Sequence, residues 1–145
     1  MVVSGEWKAE EDGISRPMIE VLVSSSKDSS VEQLFLIDTG ADCTVLAAAL
    51  ISELPLTPDD RSEAATLHGL GGESASVPLE ATLTRTTTEG RDITIRGVFA
   101  TLVHTSELDV CILGRDVLAN FDVIVSRRRN EVLLLAGNHA YAVTG

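Results

Sequence analysis

Clusters of turn-forming residues break this chain at short intervals, and their spacing limits what it can fold into. Ser24-Ser25-Ser26-Lys27-Asp28-Ser29-Ser30, Asp59-Asp60-Arg61-Ser62, Gly69-Leu70-Gly71-Gly72, Thr86-Thr87-Thr88-Glu89-Gly90-Arg91 and Ser126-Arg127-Arg128-Arg129-Asn130 all favour turn or loop backbone. Between them lie apolar runs of strand length, over residues 17–23, 31–37, 76–85, 93–103, 110–113, 122–125 and 132–135. Only two stretches read as helices. One covers 47–54 and stops before Pro55 and Pro58; the other, over 117–120, is opened by Gly114-Arg115-Asp116. The pattern predicts an all-β domain, a closed barrel or sandwich, with one or two short helices. Residues 1–15 are polar and acidic and are expected to form a loose arm. Residues 16–145 are expected to form one domain, with 121–145 as a C-terminal hairpin and tail in which 139–143 could add a strand.

Composition narrows the function classes. A net charge of −11 over 145 residues disfavours nucleic acid and anionic lipid as partners. No run approaches the roughly 18 apolar residues of a membrane span, and the first residues lack the basic-then-apolar order of a signal peptide. Cys43 and Cys111 are too few for a disulfide framework. The expectation is a soluble, cytoplasmic protein with reduced thiols. His68, His104 and His139 are isolated from other metal-ligand residue types, so neither a metal site nor a cofactor is expected. Gly69-Leu70-Gly71-Gly72 lacks the Lys-Ser/Thr of a phosphate loop. Residues 127–129 read as a solvated arginine turn.

One segment does carry chemistry. In Phe35-Leu36-Ile37-Asp38-Thr39-Gly40-Ala41-Asp42-Cys43-Thr44-Val45, an apolar strand delivers Asp38 onto a turn of small residues and a second apolar segment leaves it. Glycine at 40 leaves room for a ligand or another backbone to approach. Taken alone, the peptide could equally be an ordinary turn with two acids. Two further features follow in order: the glycine-rich tip at 69–72, with Leu70 exposed in it, and Ile112-Leu113-Gly114-Arg115-Asp116 entering a helix.

This ordered trio resembles the retropepsins, the single-domain aspartic proteases of retroviral type, from Arg16-Pro17 through about Phe121. The resemblance implies that Asp38 is the catalytic acid/base, that Thr39 hydrogen-bonds across a dimer axis, and that Gly40 admits the substrate backbone. It implies that Asp42 binds substrate main chain and pairs with Arg115, and that Arg16 reaches the aspartate at position 42 of a second chain. Gly69, Leu70, Gly71 and Gly72 become the tip of a flap closing over bound peptide. Leu36, Ala41, Val45, Val110 and Ile112 become pocket walls for apolar side chains. His68 stands where the family flap has glycine, and Cys43 where viral enzymes often have another aspartate.

Peptide hydrolysis without a metal needs one acid and one base, which two carboxylates sharing a proton provide. The chain offers one Asp-Thr-Gly, so the second aspartate must come from a second copy, and a twofold homodimer follows. The leading expectation is therefore a homodimeric aspartic endopeptidase acting on extended, apolar-centred peptide or protein segments. Its alternative is a retropepsin-fold dimerisation or peptide-binding module with little or no hydrolysis. A third reading has the enzyme trim its own N-terminal arm. Because residues 122–145 extend past the short helix, the dimer interface could lie at the termini or on the 122–135 hairpin.

Overall fold

The organising hairpin is β2 (Ser15–Ser24) and β3 (Ser30–Ile37), paired antiparallel from Met18↔Leu36 to Ser24↔Ser30. Its alternation puts Ile19, Val21, Val23, Phe35 and Ile37 into the core. The computed structural model describes residues 1–25, 28–55, 57–58, 65–69, 72–104, 110–140, 142 and 144. Beyond this hairpin the order is β4 (Val45–Leu46), α1 (Ala49–Glu53), β5 (Thr57–Pro58), β6 (Ala65–Gly69), β7 (Gly72–Thr86) and β8 (Asp92–Leu102). Then come β9 (Cys111–Leu113), α2 (Arg115–Leu118), β10 (Asp122–Ser126) and β11 (Glu131–Leu135).

Parallel pairing of β3 with β9 sets Leu36 beside Ile112, and antiparallel pairing of β4 with β9 sets Val45 against the same Ile112. β4 runs parallel to β8, β8 pairs with the long β7, and β7 returns to β2 through Leu22↔Thr84, Val23↔Leu83 and Ser24↔Thr82. The strands β2, β3, β9, β4, β8 and β7 thus form a ring around an aliphatic core. Phe35, Val23, Leu46, Leu50 and Cys111 are fully enclosed. Each large apolar side chain so buried contributes roughly 1.5–3 kcal/mol. With aromatics at only 3% of the chain, the core relies on many such branched aliphatics.

The all-β expectation with two short helices holds. The expected loose arm does not. Residues Val2–Ala9 form a further strand, β1, which pairs with β11 over Val2–Gly5 and with β2 over Glu6–Ala9. Its inward positions include Val3, 1% exposed, and the half-buried Trp7. The intervening polar residues, which make the stretch look like an arm, face outward. Gly5 sits where the pairing changes partner, and a Cβ there would collide with the Met18 carbonyl oxygen. α1 spans 49–53 rather than 47–54, and α2 begins at Arg115. Among the described residues of the tail, 136–140, 142 and 144, no strand forms.

Candidate active site

β3 ends at Ile37, and its backbone hands Asp38 directly to the neighbouring strand: the Asp38 amide donates to the Leu113 carbonyl at 3.2 Å. The turn that follows is closed by its own groups. The Ala41 amide donates to the Asp38 carbonyl at 3.2 Å, and the Gly40 amide donates to Asp38 Oδ1 at 2.9 Å. A Cβ on Gly40 would lie 3.2 Å from that same carboxylate oxygen, so only glycine sits there without crowding the acid. Asp38 is half-buried, while Thr39 and Gly40 are exposed. A partly open carboxylate, backed by backbone donors and fronted by small residues, can take or give a proton to a molecule arriving from one side.

A second segment fixes the rear of this loop. The Arg115 amide donates to the Ala41 carbonyl at 2.9 Å. Thr44, fully buried, donates its hydroxyl to Asp116 Oδ1 at 2.7 Å and its amide to the same oxygen at 2.9 Å. Its Oγ also accepts the Gly114 amide at 3.0 Å, and the Val117 amide donates to Asp116 Oδ1 at 2.9 Å. Gly114 packs so closely on the Cys43–Thr44 peptide that any side chain would run into the Cys43 carbonyl. Residues 38–44 and 113–117 are thus one cross-linked unit. Thr44 and Asp116 are the members that the sequence reading leaves out. A signal was available: an aspartate just inside a short helix is a standard acceptor for free amides.

The expected Asp42–Arg115 pair is present, Arg115 Nη2 meeting Asp42 Oδ1. Both side chains are largely solvent-exposed, 84% for Asp42 and 61% for Arg115. Such a pair contributes no more than about 1 kcal/mol. Arg16 stands near the start of β2. Within the chain it is held by Glu10 and by Asp12, with Nη2 at 2.6 Å from Asp12 Oδ2, which closes the β1–β2 turn. Hydrogen bonding from Arg16 holds the Asp12 carboxyl down at about 2.

Leu36, Val45 and Ile112 share one face of the β3–β9–β4 strands, since paired residues point the same way. Asp38 follows Leu36 by two residues, and Leu36 and Ile112 are only half-buried, so they form an apolar floor beside the acid. Val45, 8% exposed, is the most covered of the three. Ala41 and Val110 are half-buried, Val110 lying one residue before β9. The glycine-rich tip crowns the β6–β7 hairpin, whose register runs from Ala65↔Ser76 to Gly69↔Gly72. Leu70 and Gly71 lie outside the described residues. Gly72 has φ +115°, and nothing lies within 4 Å of a Cβ at Gly69 or Gly72, so the hairpin projects from the body. His68 and Glu73 face each other across it at 3.2 Å.

Neither thiol is primed as a nucleophile. Burial, with Asp116 and Asp42 nearby, raises Cys43, and burial pushes Cys111 up to about 11. Both are free. No helix among the described residues is long and apolar enough to cross a membrane.

Among solved structures, EIAV protease complexed with the inhibitor HBY-793 is 27% identical, with 72% of this chain and 86% of that chain covered and a TM-score of 0.49. A retropepsin-like aspartic protease from Rickettsia conorii is 17% identical over 92% of this chain and 90% of its own, with a TM-score of 0.54, which identifies the fold as retropepsin-like. No curated protein matches the chain. Residues 14–126 match the family model "Retroviral aspartyl protease". That span includes the Asp38 turn, the β6–β7 hairpin and the Gly114-Arg115 junction, and the chain belongs to the retroviral aspartyl protease family.

Proposed function

We propose that the chain is an aspartic endopeptidase whose active site is completed by a second copy. The observation that carries this reading is the setting of Asp38: a half-open carboxylate on a small-residue turn, its backbone tied to Leu113 and its loop braced by Thr44 and Asp116. Effort of this kind positions a reacting group; a solvated turn acid does not need it.

In the proposed reaction the two Asp38 carboxylates of a homodimer share one proton. The ionised carboxylate takes a proton from water as its oxygen attacks the scissile carbonyl carbon, and the protonated one gives its proton to the carbonyl oxygen. The tetrahedral diol then collapses, and the amine leaves with a proton returned by the dyad. Thr39 of each chain would bind across the axis. Gly40 and Asp42 would receive the substrate main chain, and Leu36 and Ile112 the apolar side chains beside the cut. The β6–β7 hairpin, through Gly69, Leu70, Gly71 and Gly72, would close over the peptide and exclude water. Arg115 would steady Asp42.

Asp38→Asn tests this. The variant should keep its fold and its sedimentation behaviour yet lose all cleavage of a peptide library between pH 3 and 7. Retained cleavage would end the assignment. A wild-type chain that binds peptides without cutting them would favour the binding-module alternative.

A further inference from the structure

β2 changes partner along one of its two edges, and the sheet opens where it does. On one side β3 accompanies it from Met18 to Ser24. On the other, β1 pairs with it only over Ser15–Met18 and β7 only over Leu22–Ser24. Among the described residues, Ile19, Glu20 and Val21 therefore have a strand on one side alone. β1 leaves them because its first half, Val2–Gly5, pairs with β11 instead.

Successive residues of a strand turn their amides and carbonyls to opposite edges. In β1 the odd positions face β11: the Met1 carbonyl accepts the Ala136 amide at 2.9 Å, and the Trp7 amide donates to Asn130 Oδ1 at 3.2 Å. The even positions face the other way, and the Val2 carbonyl accepts the Thr88 amide at 2.8 Å. Glu6 and Lys8 accordingly meet Met18 and Arg16 of β2. The next rung of that register would join Ser4 to Glu20, and it does not form. Ser4 and Glu20 instead turn their amides and carbonyls towards each other across a cleft of about 280 Å³.

The side chains of this cleft leave one acid and one base over. Its walls include Ser4, Glu6, Met18, Glu20, Leu34 and Arg85. Lys8, also in the wall, is taken by Glu6 at 3.5 Å. Arg85 is half-buried, and its Nε is fully covered without a hydrogen-bond partner. Glu20 is half-buried too and forms no ion pair among the described residues. A covered guanidinium N–H lacking an acceptor is costly, and a carboxylate is its strongest partner. Two acids in the same walls disfavour a phosphate.

We infer that this cleft is a binding site for a short peptide with both ends free. The peptide backbone supplies the missing rung between Ser4 and Glu20. Its carboxylate meets Arg85, its ammonium group meets the Glu20 carboxylate, and an apolar side chain rests on Leu34. The volume lies just below the roughly 300–1,000 Å³ of drug-sized sites, which limits the ligand to about two residues. The inference stands apart from the reading of Asp38, although the products of a peptidase belong to this ligand class.

Titration of the wild type with the dipeptide Leu-Leu, followed by NMR of backbone amides and arginine Nε–H groups, tests it. The amides of 4–6 and 18–20 and the Arg85 Nε–H should shift together, with a single Kd. N-acetyl-Leu-Leu lacks the ammonium group and Leu-Leu amide lacks the carboxylate, so each should bind about 10-fold more weakly or worse. Glu20→Gln and Arg85→Met should weaken Leu-Leu binding to the same degree. The comparison of three ligands on the wild type does not depend on how the variants fold. No response at these positions up to about 10 mM Leu-Leu would overturn the site. So would equal binding of all three ligands, because the ends would then go unread. Shifts confined to residues 36–42 would place the dipeptide on the Asp38 turn and overturn the cleft, while leaving the reading of that turn intact.

Discussion

Thr44 Oγ donates to Asp116 Oδ1 at 2.7 Å across 72 residues of chain, and that one carboxylate oxygen also accepts the amides of Thr44 and Val117. Thr44 is wholly buried, so neither its amide nor its hydroxyl can turn to water if the acceptor is removed. Asp116→Ala should cost about 2–3 kcal/mol in urea unfolding, because buried donors are left unpaired. Asp116→Asn keeps a carbonyl acceptor and should cost clearly less. If the two substitutions are equivalent, the oxygen is not what braces the Asp38 loop.

Gly114 offers a separate test of the same junction. A methyl group there meets the Cys43 carbonyl, which is backbone and cannot step aside without moving the turn that carries Asp38. Gly114→Ala should therefore destabilise the fold by about 3 kcal/mol or more, with a matching loss of thermal midpoint. Any cleavage activity should fall further than stability alone explains. Gly90→Ala is the comparison: it has φ +76° but open space around its Cβ, so it should cost only the strain of its backbone.

The Arg16–Asp12 latch makes a prediction about acid. Asp12 falls from its usual 3.8 to about 2, first because Arg16 hydrogen-bonds it and further because the Ile14 amide does. A depressed carboxylate contributes stability that is fully present above its unfolded value and is lost as pH falls through the folded one. The β1–β2 turn should thus stay latched above pH 3.8 and loosen towards about pH 2. A carboxyl-carbon NMR titration should place Asp12 near the lower value, and Arg16→Ala should return it most of the way to 3.8. An Asp12 that titrates at its ordinary value in the wild type would remove the latch.

The two cysteines should differ in reach but not in kind. Cys111 is fully buried, pushed up to about 11, and accepts the Ala47 amide on its sulfur at 3.3 Å. Cys43 is half-buried and raised by burial first, then by Asp116 and Asp42. Native protein at neutral pH should be alkylated slowly at Cys43 and hardly at all at Cys111, and at both once unfolded. Fast labelling of Cys111 would mean that the β4–β9 contact opens readily.

Much of this was legible in the sequence because it is local. The alternation in 17–23 and 31–37 gives β2 and β3, and the small residues after Asp38 mark its turn. Gly114-Arg115 announces the strand-to-helix junction, and Asp42 does pair with Arg115. The rest depended on partners remote in the chain. β1 passes for an arm because its first half pairs with β11, more than a hundred residues away, and only Val3 and Trp7 show its inward face. Arg16 could not be assigned to Glu10 and Asp12 without knowing that β1 turns back onto β2. Thr44 looks like any turn threonine until Asp116 is brought against it.

The central claim is that each chain supplies half of an active site, and co-refolding wild type with Asp38→Asn tests it most directly. At constant total chain and equal proportions, random pairing leaves about one quarter of the dimers with both aspartates. Activity should therefore fall to about one quarter of the all-wild-type value, following the square of the wild-type fraction. A linear fall, to about one half at the same mixture, would mean that each chain works alone and would contradict the shared dyad.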